Sequence, residues 1–96
     1  MAKKIKLKKI EKLAPVVMKS DIGKTLENLR NKAGRTIGSI TYSSDGQYIC
    51  DHTTIWRIEK GKISPNVILL IKILNELGFD LKEFAIELSK NMNKVE

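Results

Sequence analysis

The stretch Asp51-His52-Thr53-Thr54-Ile55-Trp56-Arg57-Ile58-Glu59-Lys60-Gly61-Lys62 constrains this chain more than any other. It opens with a short acidic side chain, which accepts hydrogen bonds from the unpaired N–H groups at the start of a helix. It closes with glycine, the usual residue just past a helix end. Ile55 and Ile58 lie three apart and so share one helical face, which predicts that they anchor the segment to a core. His52, Thr53, Trp56 and Arg57 then point elsewhere, and Lys60 and Lys62 bracket the end. A short helix with one apolar edge and a hydrogen-bonding, cationic opposite edge suits the DNA major groove, which admits a single helix and displays base-edge donors and acceptors.

The flanking segments read as helices. Ser20 or Asp21 can cap a helix in which Ile22, Leu26, Leu29 and Ala33 form an amphipathic stripe, with Gly34 as its stop. Arg30, Lys32 and Arg35 gather where cations suit the helix dipole. Thr36 can cap a second helix through Ile37 and Ile40, weakened by Gly38. Ser39–Cys50 carries two readings. Its β-branched and aromatic residues around Asp45-Gly46 signal a hairpin, whereas the flanking helices favour a helix followed by an extended turn. Ser64, with Pro65 at the first helical position, caps a helix with Val67, Leu70, Ile71, Leu74 and Leu77 as its core stripe, and Gly78 ends it. Asp80 and Glu83 read as a capping box. Leu81, Phe84, Ala85 and Leu88 form the inward face of a last helix, and Ile86 lies off that face.

Ninety-six residues make one small domain. No apolar run of about eighteen residues occurs, so no membrane span is expected, and the lysine-rich N-terminus lacks the apolar core of a signal peptide. The single cysteine, Cys50, has no disulfide partner, and no Cys/His spacing suits zinc. One histidine, no glycine-rich phosphate loop and no nucleophile motif argue against an enzyme; neither metal nor cofactor is expected. A reducing cytoplasm fits this chemistry. Lys3, Lys4, Lys6, Lys8, Lys9, Lys12 and Lys19 against the lone Glu11 place +6 of the formal +7 charge before residue 20. A basic arm on a near-neutral domain points to a polyanion, with nucleic acid first. Within the arm, Ile5 and Leu7 alternate as in a strand while Leu7, Ile10 and Leu13 fit a helix; both readings stay open, and a disordered tail beside them.

Thr54-Ile55-x-Arg57-Ile58-Glu59-Lys60-Gly61-Lys62, followed by Ser64-Pro65 and an apolar helix, resembles the recognition-helix end of the Xre family of lambda-repressor-like and Cro-like helix-turn-helix proteins. The resemblance runs from about Ile22 to about Leu88. It implies an all-α, compact five-helix domain: a basic arm at 1–19, the helix-turn-helix domain at 20–89, and a frayed tail at 90–96. The implied function is a sequence-specific regulator of transcription that binds double-stranded DNA, most simply a dimeric repressor with helix 51–60 in the major groove. By the same resemblance His52, Thr53 and Arg57 read bases, and Thr36, Thr54, Lys60, Lys62 and Asn66 touch the DNA backbone. Trp56, Lys3 and Lys4 are further candidate contacts. Trp56 reads equally well as a partly buried structural residue, and Glu59 better as a tie to a neighbouring arginine than as a DNA contact. Implied partners are duplex DNA and a second copy, with Ile86, Leu88 and the arm as candidate dimer contacts. A toxin is implied if the chain is an antitoxin, or another small protein if it is an adaptor. The chain departs from the family between Gly34 and Arg57, where it is a few residues longer and the small residue and leucine of the second helix have no clean place.

Overall fold

Four α-helices and one 3-10 turn make up residues 17–92, the part of the chain described by the structure, a computed structural model. The first helix, α1 (Lys19–Lys32), starts one residue before the expected caps. Met18 occupies the cap position, and its N–H donates to Asp21 Oδ2 at 2.9 Å. Leu26 and Leu29 are buried, with Ile22 and Ala33 packed beside them, as the stripe predicts. Gly34 follows with φ 70°, a left-handed conformation that glycine adopts without a Cβ clash.

The expected second helix is reduced to a single 3-10 turn, Gly38–Ile40, so the described residues hold four α-helices rather than five. Local chemistry explains the loss. Gly38 disfavours helix, and the Thr36 hydroxyl accepts from Ser39 N–H while Ser39 Oγ donates to the Thr36 carbonyl. Such side-chain bonds compete with helical ones. Ile40, among the most deeply buried side chains, pins the turn to the core. The following loop combines features of both sequence readings. Ile49 N–H donates to the Thr41 carbonyl and Ser43 N–H to that of Gln47, giving a hairpin-like return with one bridge, Tyr42 to Tyr48. Glu76 fastens it from outside, accepting from Ser44 N–H at 2.9 Å and from Arg35 at 3.0 Å.

The second α-helix, α2 (His52–Glu59), is followed by α3 (Val67–Leu77) and α4 (Leu81–Met92). The α3 cap is Asn66, whose Oδ1 accepts from Leu69 N–H at 2.8 Å, rather than Ser64. The buried stripe of α3 is also rotated from the expected one: Ile73, Leu74 and Leu77 are buried, Leu70 packs against them, and Val67 is exposed. The run Val67-Ile-Leu-Leu-Ile71 is apolar on every side, so no polar residue in it marks the outer face. The Asp80–Glu83 capping box is present in both directions, at 2.8 and 3.0 Å. Of the face expected on α4, Phe84 and Leu88 turn inward, while Leu81 and Ala85 are exposed. Residues 90–92, expected as the start of a frayed tail, are helical. Asn91 is buried there, its amide donating to Thr25 Oγ1 of α1 at 2.7 Å. Among the described residues no helix is long and apolar enough to cross a membrane.

Candidate nucleic-acid interface

Five residues hold α2 in place. Ile55 and Ile58 are buried, worth about 1.5–3 kcal/mol each. Asp51 caps the start, its Oδ1 accepting from Thr54 N–H at 2.7 Å. Gly61 closes the end with φ 74°, and its backbone lies against Ser20 so closely that a Cβ would come within 3.0 Å of the Ser20 Cα. Glu59 turns inward to a two-pronged ion pair with Arg30 of α1: Nε to Oε2 at 2.6 Å and NH2 to Oε1 at 2.9 Å. That pairing is the structural role expected for Glu59.

What remains outward is one continuous strip. His52, Thr53, Trp56, Arg57 and Lys60 recur at i, i+1, i+4, i+5 and i+8, and all five are exposed. Thr54 is half-buried beside them. Trp56 is 40% exposed, and Lys60 Nζ lies 5.9 Å from its ring centroid, a cation–π distance. The 3-10 turn borders the strip at its N-terminal end, where the His52 ring passes 3.9 Å from the place a Cβ on Gly38 would occupy. Thr36 is exposed just before that turn, and Lys62 and Asn66 beyond the other end.

The charge of the strip is cationic because α2's one acid, Glu59, is buried. Asp51 is the acid at its edge. Hydrogen bonds with Thr54, with smaller help from Arg57 and His52, hold its carboxyl below the usual carboxylate range, so it stays a committed helix cap. Arg35 is bound to Glu76 and to the Ser39 carbonyl. Among the described residues no cluster of His, Cys, Asp and Glu could hold a metal. A hollow of about 320 Å³ between the 43–49 loop and α3 lies against Lys72 and Glu76 and away from the strip.

By sequence, no protein-family model and no curated protein matches the chain. By structure, matches exist. The fold is that of the clp gene regulator ClgR. One crystal structure of ClgR from Corynebacterium glutamicum superposes with a TM-score of 0.67 at 19% identity, covering 82% of this chain and 96% of that one. A second superposes with a TM-score of 0.71 at 18% identity, covering 85% and 83%. The ClgR likeness is one of fold, a helix-turn-helix.

The ClgR-like frame brings most of the sequence-nominated residues together. His52, Thr53 and Arg57 share one exposed strip with Trp56 and Lys60, and Thr36, Lys62 and Asn66 flank it. Lys3 and Lys4 lie outside the described residues. Two nominated residues carry prior obligations: the Thr54 N–H and the Asn66 Oδ1 are spent on helix caps, leaving the Thr54 hydroxyl and the Asn66 amide for other work. Sequence reasoning missed Gly23. A Cβ there would collide with the Ile58 carbonyl oxygen, so this glycine is what lets α1 press against the end of α2. The available signal was a glycine in the middle of a helical stripe, which commonly marks a close backbone approach.

Proposed function

We propose that the chain is a sequence-specific, double-stranded DNA-binding regulator of transcription of the Xre type, acting as a dimeric repressor in the cytoplasm. The supporting observation is the strip itself: five exposed hydrogen-bonding or cationic side chains on a rigidly capped helix whose apolar edge is locked into the core. In this reading α2 lies in the major groove. Arg57 donates two hydrogen bonds to guanine O6 and N7, His52 and Thr53 read neighbouring base edges, and Trp56 packs on sugar or a thymine methyl. Thr36, Thr54, Lys60, Lys62 and Asn66 touch phosphates and fix the register without reading sequence. Lys3 and Lys4 of the basic arm add sequence-independent attraction.

The test is footprinting on DNA upstream of the gene, followed by a base-by-base competition with the Arg57→Ala variant. The variant should lose about 1–3 kcal/mol of preference at one guanine while retaining general affinity. Wild-type affinity should fall steeply with salt. An equal loss on every sequence would remove Arg57 from the reading set, and no footprint on any duplex would sink the proposal.

A further inference from the structure

The 43–49 loop faces α3 across the hollow of about 320 Å³. That volume falls at the lower end of small-molecule sites, roughly 300–1,000 Å³. The loop lies where the chain is longer than the Xre pattern, so its residues are additional to what that helical frame requires. It is nevertheless fastened. Glu76 of α3 accepts from Ser44 N–H at 2.9 Å and from Arg35 at 3.0 Å. Ser43 closes the turn itself, its Oγ donating to Asp45 and accepting from Gln47 N–H. Both walls of the hollow are therefore held in place without an occupant.

The side chains on those walls decide what fits between them. Glu76 is committed to Arg35 and Ser44, and its charge is matched. Lys72 on the α3 wall and Asp45 on the loop wall are not: no ion pair among the described residues uses either. Gln47 and Asn75 add side-chain amides to the same walls. Their backbone groups are the ones bonded within the fold, which leaves the amides for a ligand. Tyr48 and Ile49 supply apolar surface. A simple anion would meet Lys72 but face Asp45 with like charge, and a simple organic cation the reverse. No cluster of acids among the described residues could hold a metal ion.

We infer that the hollow binds a free α-amino acid. Lys72 pairs with its carboxylate, Asp45 with its ammonium, and Tyr48 and Ile49 pack on its side chain. Both ion contacts are charge-assisted hydrogen bonds, the stronger kind. The loop continues through Ile49 and the buried Cys50 into Asp51, the cap of α2, so an occupant bears on the first turn of the strip. That consequence rests on the DNA-binding reading, whereas occupancy of the hollow does not.

The experiment is saturation-transfer NMR on the full chain without DNA. Each standard free α-amino acid is offered singly at millimolar concentration, with its N-acetyl amide, which lacks both backbone charges, as control. At least one free amino acid should give a saturable signal that its N-acetyl amide does not. Lys72→Met and Asp45→Asn, both at exposed side chains, should each weaken it by about tenfold, the loss of one charge-assisted contact. Lys82→Met, outside the hollow, should leave it unchanged. In isotope-labelled protein the amides of Ser44 and Asn75, one on each wall, should shift along the same isotherm. Absence of saturable binding by every amino acid, binding that survives blocking or both hollow variants, an equal loss in Lys82→Met, or shifts confined to other elements overturns the inference. The outcome is separable from that of the DNA-binding proposal. A chain that takes the amino acid but binds no duplex refutes only the DNA reading, and one that footprints but takes no amino acid refutes only this one.

Discussion

Arg30 and Glu59 join α1 to the last turn of α2 through two parallel hydrogen bonds of 2.6 and 2.9 Å, with the Glu59 side chain only 4% exposed. Glu59 in turn holds Arg30's pKa above its ordinary value, and a guanidinium is basic enough to stay charged even without that partner. Removing the carboxylate in Glu59→Ala therefore leaves a cation uncompensated in a mostly enclosed place. The loss should be about 3 kcal/mol of unfolding free energy, read from urea denaturation. Replacing both partners by apolar residues, Arg30→Met with Glu59→Leu, should cost clearly less than the single change. If the double variant proves the less stable, the pair contributes net attraction rather than mutual compensation.

Gly23→Ala should destabilise, although alanine is the better helix former by about 1 kcal/mol. The sign follows from the added methyl's position against the carbonyls of Ile58 and Glu59, both rigid backbone. Overpacking of this kind costs about 1–3 kcal/mol, which exceeds the propensity gain. The change should also shift α2 relative to α1, so DNA affinity should fall together with the melting temperature. A stabilised Gly23→Ala protein would mean that the two helices are not held this close.

These two contacts show where the sequence was legible and where it was not. Asp51, Gly61, Ile55 and Ile58 specify α2 by spacing and cap chemistry alone, and the structure agrees at each position. The Asp80–Glu83 box and Gly78 are equally local and equally readable. The phase of α3 was not, because Val67–Leu70 offers no polar residue to exclude a face, and the side that packs inward is the one that meets α4 and the 3-10 turn. Asn66 displaced Ser64 as cap because three successive residues, Ser64, Pro65 and Asn66, each suit a helix start, and only the packed register chooses among them. Asn91 reads as tail by position, yet its amide meets Thr25, sixty-six residues away, a pairing that no local pattern announces. For the candidate interface, residue types and spacing placed the strip and gave Glu59 as a tie to an arginine, whereas that arginine's identity and the commitment of Arg35 emerged only from long-range partners.

Acidification should release the 41–49 loop before the domain unfolds. Arg35 first, with Ser44, holds the Glu76 carboxyl below its ordinary value of 4.5. A carboxylate with a depressed folded pKa contributes stability that is fully present above the unfolded value and is lost as pH falls through the folded one. Hydrogen exchange at Ser44 N–H, which donates to Glu76, should therefore accelerate below pH 4.5 while amides of α1 stay protected. Asp45 titrates in the same loop, its carboxyl also lowered, chiefly by Ser43. Glu76→Gln separates the two, and should loosen the loop at neutral pH and flatten its acid response.

Cys50 should resist alkylation. It is buried next to Ile49 in the core, and burial, with a smaller effect from Asp51, pushes its thiol up to about 11. The thiolate is the reactive form, so iodoacetamide at pH 8 should modify the native protein only as fast as the domain opens. Labelling should then track urea concentration along the unfolding curve. Rapid labelling without denaturant would place Cys50 at the surface and reopen a redox role.

Trp56 offers the most direct optical check on the interface, because it is the chain's only tryptophan and lies in the middle of the strip. Its ring is partly exposed, and Lys60 Nζ lies 5.9 Å from the ring centroid. Insertion of α2 into a major groove would exclude water from the indole and draw Lys60 toward phosphate, two changes that both alter emission. Fluorescence should shift to shorter wavelength and change in intensity when a cognate duplex is added, saturating with the footprinting isotherm. Trp56→Phe should leave the unfolding free energy within about 0.5 kcal/mol of wild type, as expected for a surface change, while weakening DNA binding. Emission that ignores saturating duplex, on a protein that demonstrably binds it, would put the contact on some face other than α2.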